Sequence, residues 1–201
     1  MYNVAIVGCG RIAGKFEDLL DTQKPCTHAG AYDNSSKTRL VAVCDSDEKE
    51  LVKFGERWDI SSTYTDINDM FANEEIDILS ICTPTQTHFQ VIKDSLKHDI
   101  KAYFVEKPLS YSIDEAREIS ELLKDKIANV NFFRRWNSSL SKLKNDLDQK
   151  VHGDVILVNC FYMKTFIHNA SHIIDLLTWF FGNPTKANLL KVHSKGKEDL
   201  E

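Results

Sequence analysis

The sequence has little of what marks a membrane protein or a nucleic-acid-binding protein. No apolar run approaches the roughly 20 residues that a membrane helix needs. Lys and Arg total 25 against 30 Asp and Glu, which gives a formal net charge of −5. A polyanionic partner therefore has no electrostatic support at the level of the whole chain. We expect neither nucleic acid nor a membrane among the partners.

The N-terminus and the cysteines favour a cytoplasmic protein. The chain enters a strand-like run at Tyr2–Val7, without the charged leader or the cleavage site of a secretory signal. It has five cysteines, an odd number, and none of them form a CxxC pair. We therefore expect reduced, partly buried thiols. The five are Cys9, Cys26, Cys44, Cys82 and Cys160.

The length and composition are those of a globular protein. The 201 residues are 42% hydrophobic and 27% charged. This length suffices for one complete domain and part of a second. We place the first domain at residues 1–125 and a shortened α+β domain at residues 126–201.

Short apolar runs alternate with amphipathic stretches over the first part of the chain. The runs are almost continuously apolar, as expected for strands buried on both faces. The predicted strands are Tyr2–Val7, Leu40–Cys44, Ile76–Cys82, Lys101–Val105 and Ala128–Phe133. The predicted helices are Arg11–Leu20, Glu48–Trp58 with Asp47 as its cap, Ile67–Ala72, Gln86–His98 with Thr85 as its cap, and one from Ser112 or Asp114 to Lys124. This alternation predicts a doubly wound parallel sheet.

The pattern changes in the last third of the chain. Leu140–Lys150 is strongly charged and predicts a surface helix, and Asp154–Met163 is a long β-rich run. Ser171–Phe181 is a very apolar helix candidate that Gly182 would end. Thr185–Val192 is the last predicted strand.

A glycine-rich loop follows the first strand and precedes the first helix. Residues 8–13 read GCGRIA, the GxGxxA form of the dinucleotide-binding fingerprint. Gly8 would permit the tight turn, Gly10 would let a pyrophosphate approach the backbone, and Ala13 would let helix and strand pack closely. The alternative is a tight structural turn without a ligand.

An acidic residue closes the second predicted strand, as the fingerprint requires. Asp45 lies further from the glycines than the usual ~20 residues, because Asp21–Lys37 has the composition of an inserted loop. Its carboxylate would accept hydrogen bonds from a ribose diol and repel a 2′-phosphate, and no basic residue follows before Lys49. We therefore expect NAD rather than NADP. A purely structural turn or cap is the alternative for Asp45.

Four motifs in order carry a resemblance to a known family. They are VGCGRIAGKF at residues 7–16, ICTPTQTH at 81–88, VEKPLS at 105–110 and FRRW at 133–136. Together they resemble the glucose-fructose oxidoreductase / inositol dehydrogenase family, often called Gfo/Idh/MocA. The resemblance extends from residue 2 to about residue 193, and it implies a Rossmann domain followed by a substrate domain.

The resemblance assigns roles to individual residues. Lys107 would hold and polarise the substrate hydroxyl beside the nicotinamide, and Glu106 would orient Lys107 or the nicotinamide ribose. In family members, the proline that corresponds to Pro108 often follows a cis peptide bond. The implied cofactor contacts are Gly8, Gly10, Arg11, Ile12, Asp45, Thr83, Pro84, His88, Glu106, Lys107 and Arg135. His88 as a surface histidine and Lys107 as a solvated loop lysine remain open alternatives. Arg134 and Arg135 match the arginine pair of the family, of which one would bind near the cofactor and the other would be a surface or interdomain charge.

The catalytic base implied by the resemblance is His172. Many family members carry an aspartate four residues before this histidine, and His168 stands there in this chain. Two histidines four residues apart also have the spacing of metal ligands, but no third ligand is evident and we expect no metal. A structural histidine packed against the apolar helix is a further alternative for His172.

The resemblance implies an NAD-dependent oxidoreductase that transfers hydride between nicotinamide and a hydroxyl carbon of a sugar, sugar-nucleotide or polyol. One alternative is a catalytically silent NAD-binding or sensing module. Another is a different NAD-using enzyme, such as an NAD-dependent glycosidase or an elimination enzyme. Family members usually continue into a larger open sheet. The two strands predicted after residue 150 would leave edges to cover, so we expect a homo-oligomer.

Overall fold

The structure, a computed structural model, describes residues 1–163 and 166–188. The chain divides into two compact units, Met1–Asn131 and Phe132–Glu201. The first unit extends beyond residue 125, where the sequence prediction places the boundary, because a strand at Ile127–Val130 pairs with the sheet. Across the described ranges, no helix has both the length and the apolar character needed to cross a membrane.

One parallel sheet organises the first unit, all of whose residues the structure describes. It has six strands in the order β3-β2-β1-β4-β5-β6. Successive strands are added on one side of β1 up to β3, and from β4 onward they are added on its other side. The order therefore reverses between β1 and β4, which confirms the predicted doubly wound sheet. Such a reversal opens a crevice at the carboxyl ends of the strands. The strands are β1 (Tyr2–Val7), β2 (Thr38–Cys44), β3 (Ser62–Tyr64), β4 (Ile78–Ile81), β5 (Ala102–Val105) and β6 (Ile127–Val130).

Helices connect these strands. A π-helical turn at Arg11–Lys15 runs into the first α-helix, and a 3-10 turn at Thr85–Thr87 precedes the fifth. The helices are α1 (Phe16–Leu19), α2 (His28–Asp33), α3 (Glu48–Trp58), α4 (Ile67–Asn73), α5 (His88–Ser95) and α6 (Ile113–Leu122). The predicted bounds of α3 are confirmed, and the Asp47 carboxylate accepts hydrogen bonds from two backbone N–H groups at its first turn.

The helices cover both faces of the sheet. Successive residues of a strand face opposite sides, so each central strand supplies both cores. Ala5 and Val7 join a core that α4, α5 and α6 complete, whereas Ile6 joins a second core with residues of α2 and α3. This two-sided burial explains why the strands are almost continuously apolar in the sequence.

Four features of the first unit differ from the sequence predictions. The stretch Asp21–Lys37 is not only a loop, because it contains α2. The strand β3 has only three residues and gave no periodic signal. The fifth helix runs from His88 to Ser95 rather than from Gln86 to His98. Thr85 is buried in the 3-10 turn before this helix and does not cap it.

The second unit is described for residues 132–163 and 166–188. It contains a 3-10 turn at Phe133–Trp136, helix α7 (Ser138–Asp148), a π-helical turn at Phe166–Ala170 and helix α8 (Ser171–Phe181). No residue of α7 is buried, in agreement with the predicted surface helix. The bounds of α8 are those predicted, and Gly182 follows at a φ of +82°.

The strand predicted at Asp154–Met163 is wrong. Residues 154–163 have no secondary structure, and Ile156 and Phe161 are 98% and 92% exposed. A strand requires a hydrogen-bonded neighbour, and no ladder partner for this run lies within the described residues. The strand predicted at Thr185–Val192 is likewise absent over residues 185–188, and its remainder lies outside the described residues.

Candidate functional site

The predicted binding residues of the first unit lie at one edge of the sheet. Because all its strands are parallel, the segments that follow them emerge together at the carboxyl edge. Gly8 follows β1 and Asp45 follows β2, close to the reversal of the strand order. Thr83 and Pro84 follow β4, and Glu106 and Lys107 follow β5.

Gly8 makes the closest approach in this edge. Its φ is +93°, a conformation that favours glycine. A Cβ atom placed on it would stand 2.7 Å from the carbonyl carbon of Cys82 and 2.8 Å from the backbone nitrogen of Thr83. Only glycine therefore fits between the end of β1 and the end of β4.

Gly10 is glycine for a different reason. Its φ of −73° and ψ of −165° are open to any residue. A Cβ atom on it would meet nothing within 4 Å. The backbone at Gly10 is therefore open to an approaching group, as the fingerprint predicts for a pyrophosphate. The flanking Arg11 is exposed, Ile12 is half-buried, and Ala13 is fully buried between the helical turn and the sheet.

Asp45 is tied to the glycine loop. Its Oδ2 accepts a hydrogen bond from the Cys9 N–H at 2.6 Å, and its Oδ1 accepts one from the Asp47 N–H at 2.9 Å. Each carboxylate oxygen has a further lone pair with which to accept another hydrogen bond. Cys9 itself is buried, and burial together with the Asp45 carboxylate raises the pKa of its thiol.

His88 contacts the backbone of the segment that follows β4. This residue is fully buried, with Nε2 3.0 Å from the Thr83 carbonyl oxygen and Nδ1 3.2 Å from the Leu109 carbonyl oxygen. His88 therefore links the backbone of two predicted binding segments, the one after β4 and the one after β5. Direct contact of His88 with a cofactor stays a prediction.

Glu106 belongs to a buried polar network that the sequence did not reveal. Its Oε1 accepts hydrogen bonds from His28 Nε2 at 2.9 Å and from Asn131 Nδ2 at 2.6 Å. The other ring nitrogen of His28, Nδ1, lies 2.7 Å from Ser80 Oγ. The sequence did not predict His28, because it lies in the stretch Asp21–Lys37, which has the composition of a loop. Only the folded chain brings His28 next to Ser80 and Glu106, so the sequence holds no pattern that marks it as a buried polar residue.

The charges of this pair stabilise each other. Burial alone would lower the pKa of His28, but Cys82 and Glu106 outweigh it and raise that pKa to about 10. Burial alone would raise the pKa of Glu106, but His28, the Asn131 amide and the Lys107 N–H outweigh it and lower that pKa. The pair is therefore an imidazolium and a carboxylate at neutral pH.

Lys107 follows Glu106 directly. Its side chain is half-buried, and its backbone N–H donates a hydrogen bond to Glu106 Oε2 at 3.2 Å. The peptide bond between Lys107 and Pro108 is cis. The network around Glu106 therefore reaches the backbone of the residue that the sequence nominates for catalysis.

The other nominated residues lie in the second unit. His172 is buried near the start of α8, with its ring edge-on to Phe132 and Phe133 at centroid distances of 5.9 and 5.1 Å. His168 is exposed, in the π-helical turn before α8. Arg135 donates to both carboxylate oxygens of Asp175, at 2.6 and 2.9 Å. The predicted contact between Arg135 and a cofactor stays a prediction.

No group of three or more His, Cys, Asp or Glu side chains placed to hold a metal ion occurs within residues 1–163 and 166–188. All five cysteines lie in these ranges and are free thiols. Cys9, Cys44 and Cys82 are buried, as expected, whereas Cys160 is exposed. Burial raises the pKa of Cys44 to about 12, with a further contribution from Asp45.

Comparison with known proteins decides the family. The model of the Gfo/Idh/MocA oxidoreductase family, described by its NAD-binding Rossmann fold, matches residues 2–132. The chain belongs to this family. The match ends where the first compact unit ends, so the family assignment rests on the sheet and on the loops at its carboxyl edge.

The relatives extend the comparison into the second unit. An oxidoreductase of Bacillus subtilis (strain 168), YrbE, is 26% identical over 95% of this chain and 56% of its own length. The myo-inositol 2-dehydrogenase of Thermotoga maritima is 27% identical over 75% of this chain and 42% of its own. Scyllo-inositol dehydrogenase from Lactobacillus casei, solved with NAD(H) and scyllo-inositol, has a TM-score of 0.76 at 22% identity, over 90% of this chain and 56% of its own. The chain thus spans about half the length of these relatives.

The carboxyl edge fits the dinucleotide that the family binds. Gly10 leaves open space above the loop, and the Asp45 oxygens retain lone pairs for a ribose diol. Thr83 Oγ1 is buried and has no hydrogen-bond partner among the described residues. A buried hydroxyl in this state is suited to a ligand that lies along the edge.

Replacing the two glycines of the loop by alanine should separate folding from binding. Gly8→Ala should lower the free energy of unfolding by roughly 1–3 kcal/mol, because it combines a positive φ with a backbone clash. Gly10→Ala should stay within about 0.5 kcal/mol of the unchanged protein and weaken NADH binding. Urea unfolding and NADH fluorescence titration measure the two effects. Wild-type stability of Gly8→Ala, or undiminished binding by Gly10→Ala, would contradict the roles assigned here.

The His28–Glu106 pair should make stability depend on pH. His28 has a raised pKa, so its contribution is complete below about 6.5 and is lost as the pH rises toward 10. Glu106 has a lowered pKa, so its contribution is present above about 4.5 and is lost as the pH falls further. The excess stability of the unchanged protein over His28→Gln should therefore shrink from about pH 6 to about pH 9, by at most about 1.4 kcal/mol per pH unit.

Urea unfolding at both pH values measures this difference. His98→Gln is the matched control, because His98 is half-buried against Phe71 and precedes β5, whereas Glu106 follows that strand at the opposite edge of the sheet. Its stability should run parallel to that of the unchanged protein between the two pH values. A constant difference between His28→Gln and the unchanged protein would show that His28 is not charged in the folded state.

Proposed function

We propose that this chain binds a nicotinamide dinucleotide, with NAD preferred to NADP, and forms the cofactor-binding part of a sugar or polyol oxidoreductase. The carrying observation is the convergence of Gly10, Asp45, Thr83 and Lys107 at one edge of a doubly wound sheet, beside the reversal between β1 and β4. Membership of an NAD-binding oxidoreductase family supports the same reading.

The preference for NAD depends on Asp45. Its carboxylate would accept hydrogen bonds from the two hydroxyls of the adenosine ribose and would repel a phosphate at the 2′ position. Two backbone N–H groups hold the carboxylate at the end of β2. A fixed negative charge in this position favours a neutral diol over an additional phosphate.

The proposed reaction removes a hydride from a substrate carbon and a proton from the hydroxyl on that carbon. A bound nicotinamide would supply the hydride acceptor for the carbon that bears the hydroxyl. By the family motifs, Lys107 would hold and polarise that hydroxyl, and His172 would accept its proton. The roles of Lys107 and His172 come from the family motifs. The names of the inositol dehydrogenases among the relatives support a polyol or sugar as the substrate class. Self-association and a cytoplasmic location stay predictions.

A binding and turnover experiment tests this function. The purified chain is titrated with NADH and NADPH, and then incubated with NAD and a panel of polyols, sugars and sugar-nucleotides while NADH absorbance is followed. We expect tighter binding of NADH than of NADPH. Equal or tighter NADPH binding would contradict the role of Asp45, and no binding of either would overturn the proposal. Binding without turnover on the whole panel would favour a silent cofactor-binding module.

Two lysines at opposite ends of β5 supply the test of catalysis. Lys107→Ala should abolish turnover while the chain still binds NADH through its remaining contacts. Lys101→Ala is the matched control, because Lys101 precedes β5 and pairs with Asp77 at the surface. This control should retain turnover. Equal turnover of the two variants would remove Lys107 from the mechanism.

A further inference from the structure

His28 is a buried histidine of the first unit that is paired with a carboxylate. Its side chain is 2% exposed, and its ring packs against Phe104 at a centroid distance of 4.9 Å. A charged imidazole in such a place is retained only with well-placed partners. Both of its ring nitrogens have one, Ser80 on one side and Glu106 on the other.

The fold places His28 by a second set of contacts. His28 is the first residue of α2, and Thr27 caps this helix by accepting a hydrogen bond from the Gly30 N–H at 3.1 Å. The Thr27 hydroxyl in turn donates to Glu17 Oε2 at 2.7 Å, and the Cys26 N–H donates to the same oxygen at 3.0 Å. The carboxylate of α1 therefore anchors the turn that delivers His28 to the sheet.

The order Ser80, His28, Glu106 resembles the hydrogen-bond order of a hydrolase triad, but it cannot act as one. Ser80 lies within β4 and is 0% exposed, so no substrate carbonyl can reach its hydroxyl. The only member that approaches the surface is Glu106, whose side chain is 12% exposed. The network therefore acts on the outside through Glu106.

The position of Glu106 indicates which half of a dinucleotide it faces. In a doubly wound sheet the pyrophosphate lies at the loop after β1, and the acidic residue after β2 takes the adenosine ribose. The other half of the molecule then extends past the reversal toward β4 and β5. Glu106 follows β5, so it lies on the nicotinamide side.

We propose that His28 is a positioning residue that holds the Glu106 carboxylate in place at the nicotinamide side of the cleft. The inference rests on the proposed function, since it concerns the same cofactor site. His28 and Asn131 occupy Oε1, while Oε2 accepts from the Lys107 N–H and retains a lone pair. Without His28, the carboxylate would lose its charged partner and keep only the hydrogen bonds from the Asn131 amide and the Lys107 N–H, so its orientation would be less restricted.

Calorimetric titration with NADH and with ADP separates this role from a general structural one. ADP contains the adenosine and both phosphates, but it lacks the nicotinamide and its ribose. His28→Gln should weaken NADH binding by about tenfold or more, since a hydrogen bond to a charged group is at stake. Its ADP binding should stay within about twofold. Asp45→Ala should weaken both ligands, and His98→Gln should weaken neither.

A double-variant comparison tests whether His28 acts through Glu106. On a Glu106→Gln background, adding His28→Gln should leave the affinity for NADH unchanged, because the carboxylate that it positions is gone. This comparison also holds if His28→Gln alone fails to fold, because the double variant contains no unpaired buried carboxylate.

Several results would overturn the inference. One is an equal loss of NADH and ADP affinity in His28→Gln, which would assign His28 to the fold alone. Others are an unchanged NADH affinity in that variant, or a further loss when it is added to Glu106→Gln. NADH binding by the unchanged protein is measured first, and its absence would overturn the proposed function together with this inference. The remaining outcomes bear on His28 alone.

Discussion

Gly8 lies against the backbone of Cys82 and Thr83, and the arrangement of the carboxyl edge depends on this contact. The strand β1 is central in the sheet, with β2 on one side and β4 on the other. The loop that leaves it is tied to β2 through the hydrogen bond from the Cys9 N–H to Asp45. The absence of a side chain at Gly8 lets the same loop touch the end of β4. The close approach at Gly8 and the hydrogen bond from Cys9 together fix the relative positions of three strand ends.

The other half of the edge depends on a buried charge. Glu106 stands at the end of β5, where a lone carboxylate would face the cost of leaving water. His28 and Asn131 come from α2 and from the end of β6, so the carboxylate joins elements that are distant in the chain. Polar groups with several satisfied hydrogen bonds have few alternative orientations. The hydrogen bonds of Glu106 therefore hold the turn that carries Lys107 in one position.

The sequence was informative where local physics decides the structure. Strands buried on both faces are almost continuously apolar, and the reversal of their order follows from the alternation with helices. The cap at Asp47 and the bounds of α8 are also local properties. By contrast, β3 consists of three residues and is defined only by pairing with β2. The apolar run at residues 154–163 has the composition of a strand but lacks a neighbour within the described residues. Composition predicts a capacity to pair and cannot supply the partner.

The same distinction applies to the site. The glycines, Thr83 and Lys107 were predicted because each lies in a motif that is continuous in sequence, and Asp45 was predicted because it closes the second strand. His28 was missed because its partners, Ser80 and Glu106, lie 52 and 78 residues away along the chain. A short helix such as α2 has too few turns to show a periodic pattern. Such a residue becomes recognisable only from the contacts that it makes.

His88 bears on the thermodynamics of ligand capture. One fully buried imidazole contacts the carbonyl of Thr83 after β4 and that of Leu109 beyond β5. The segments that follow β4 and β5 are therefore held at a set spacing by a rigid ring. The conformational entropy of fixing this spacing is lost when the chain folds, not when a ligand arrives. A cleft preorganised in this way retains more of its contact energy as affinity.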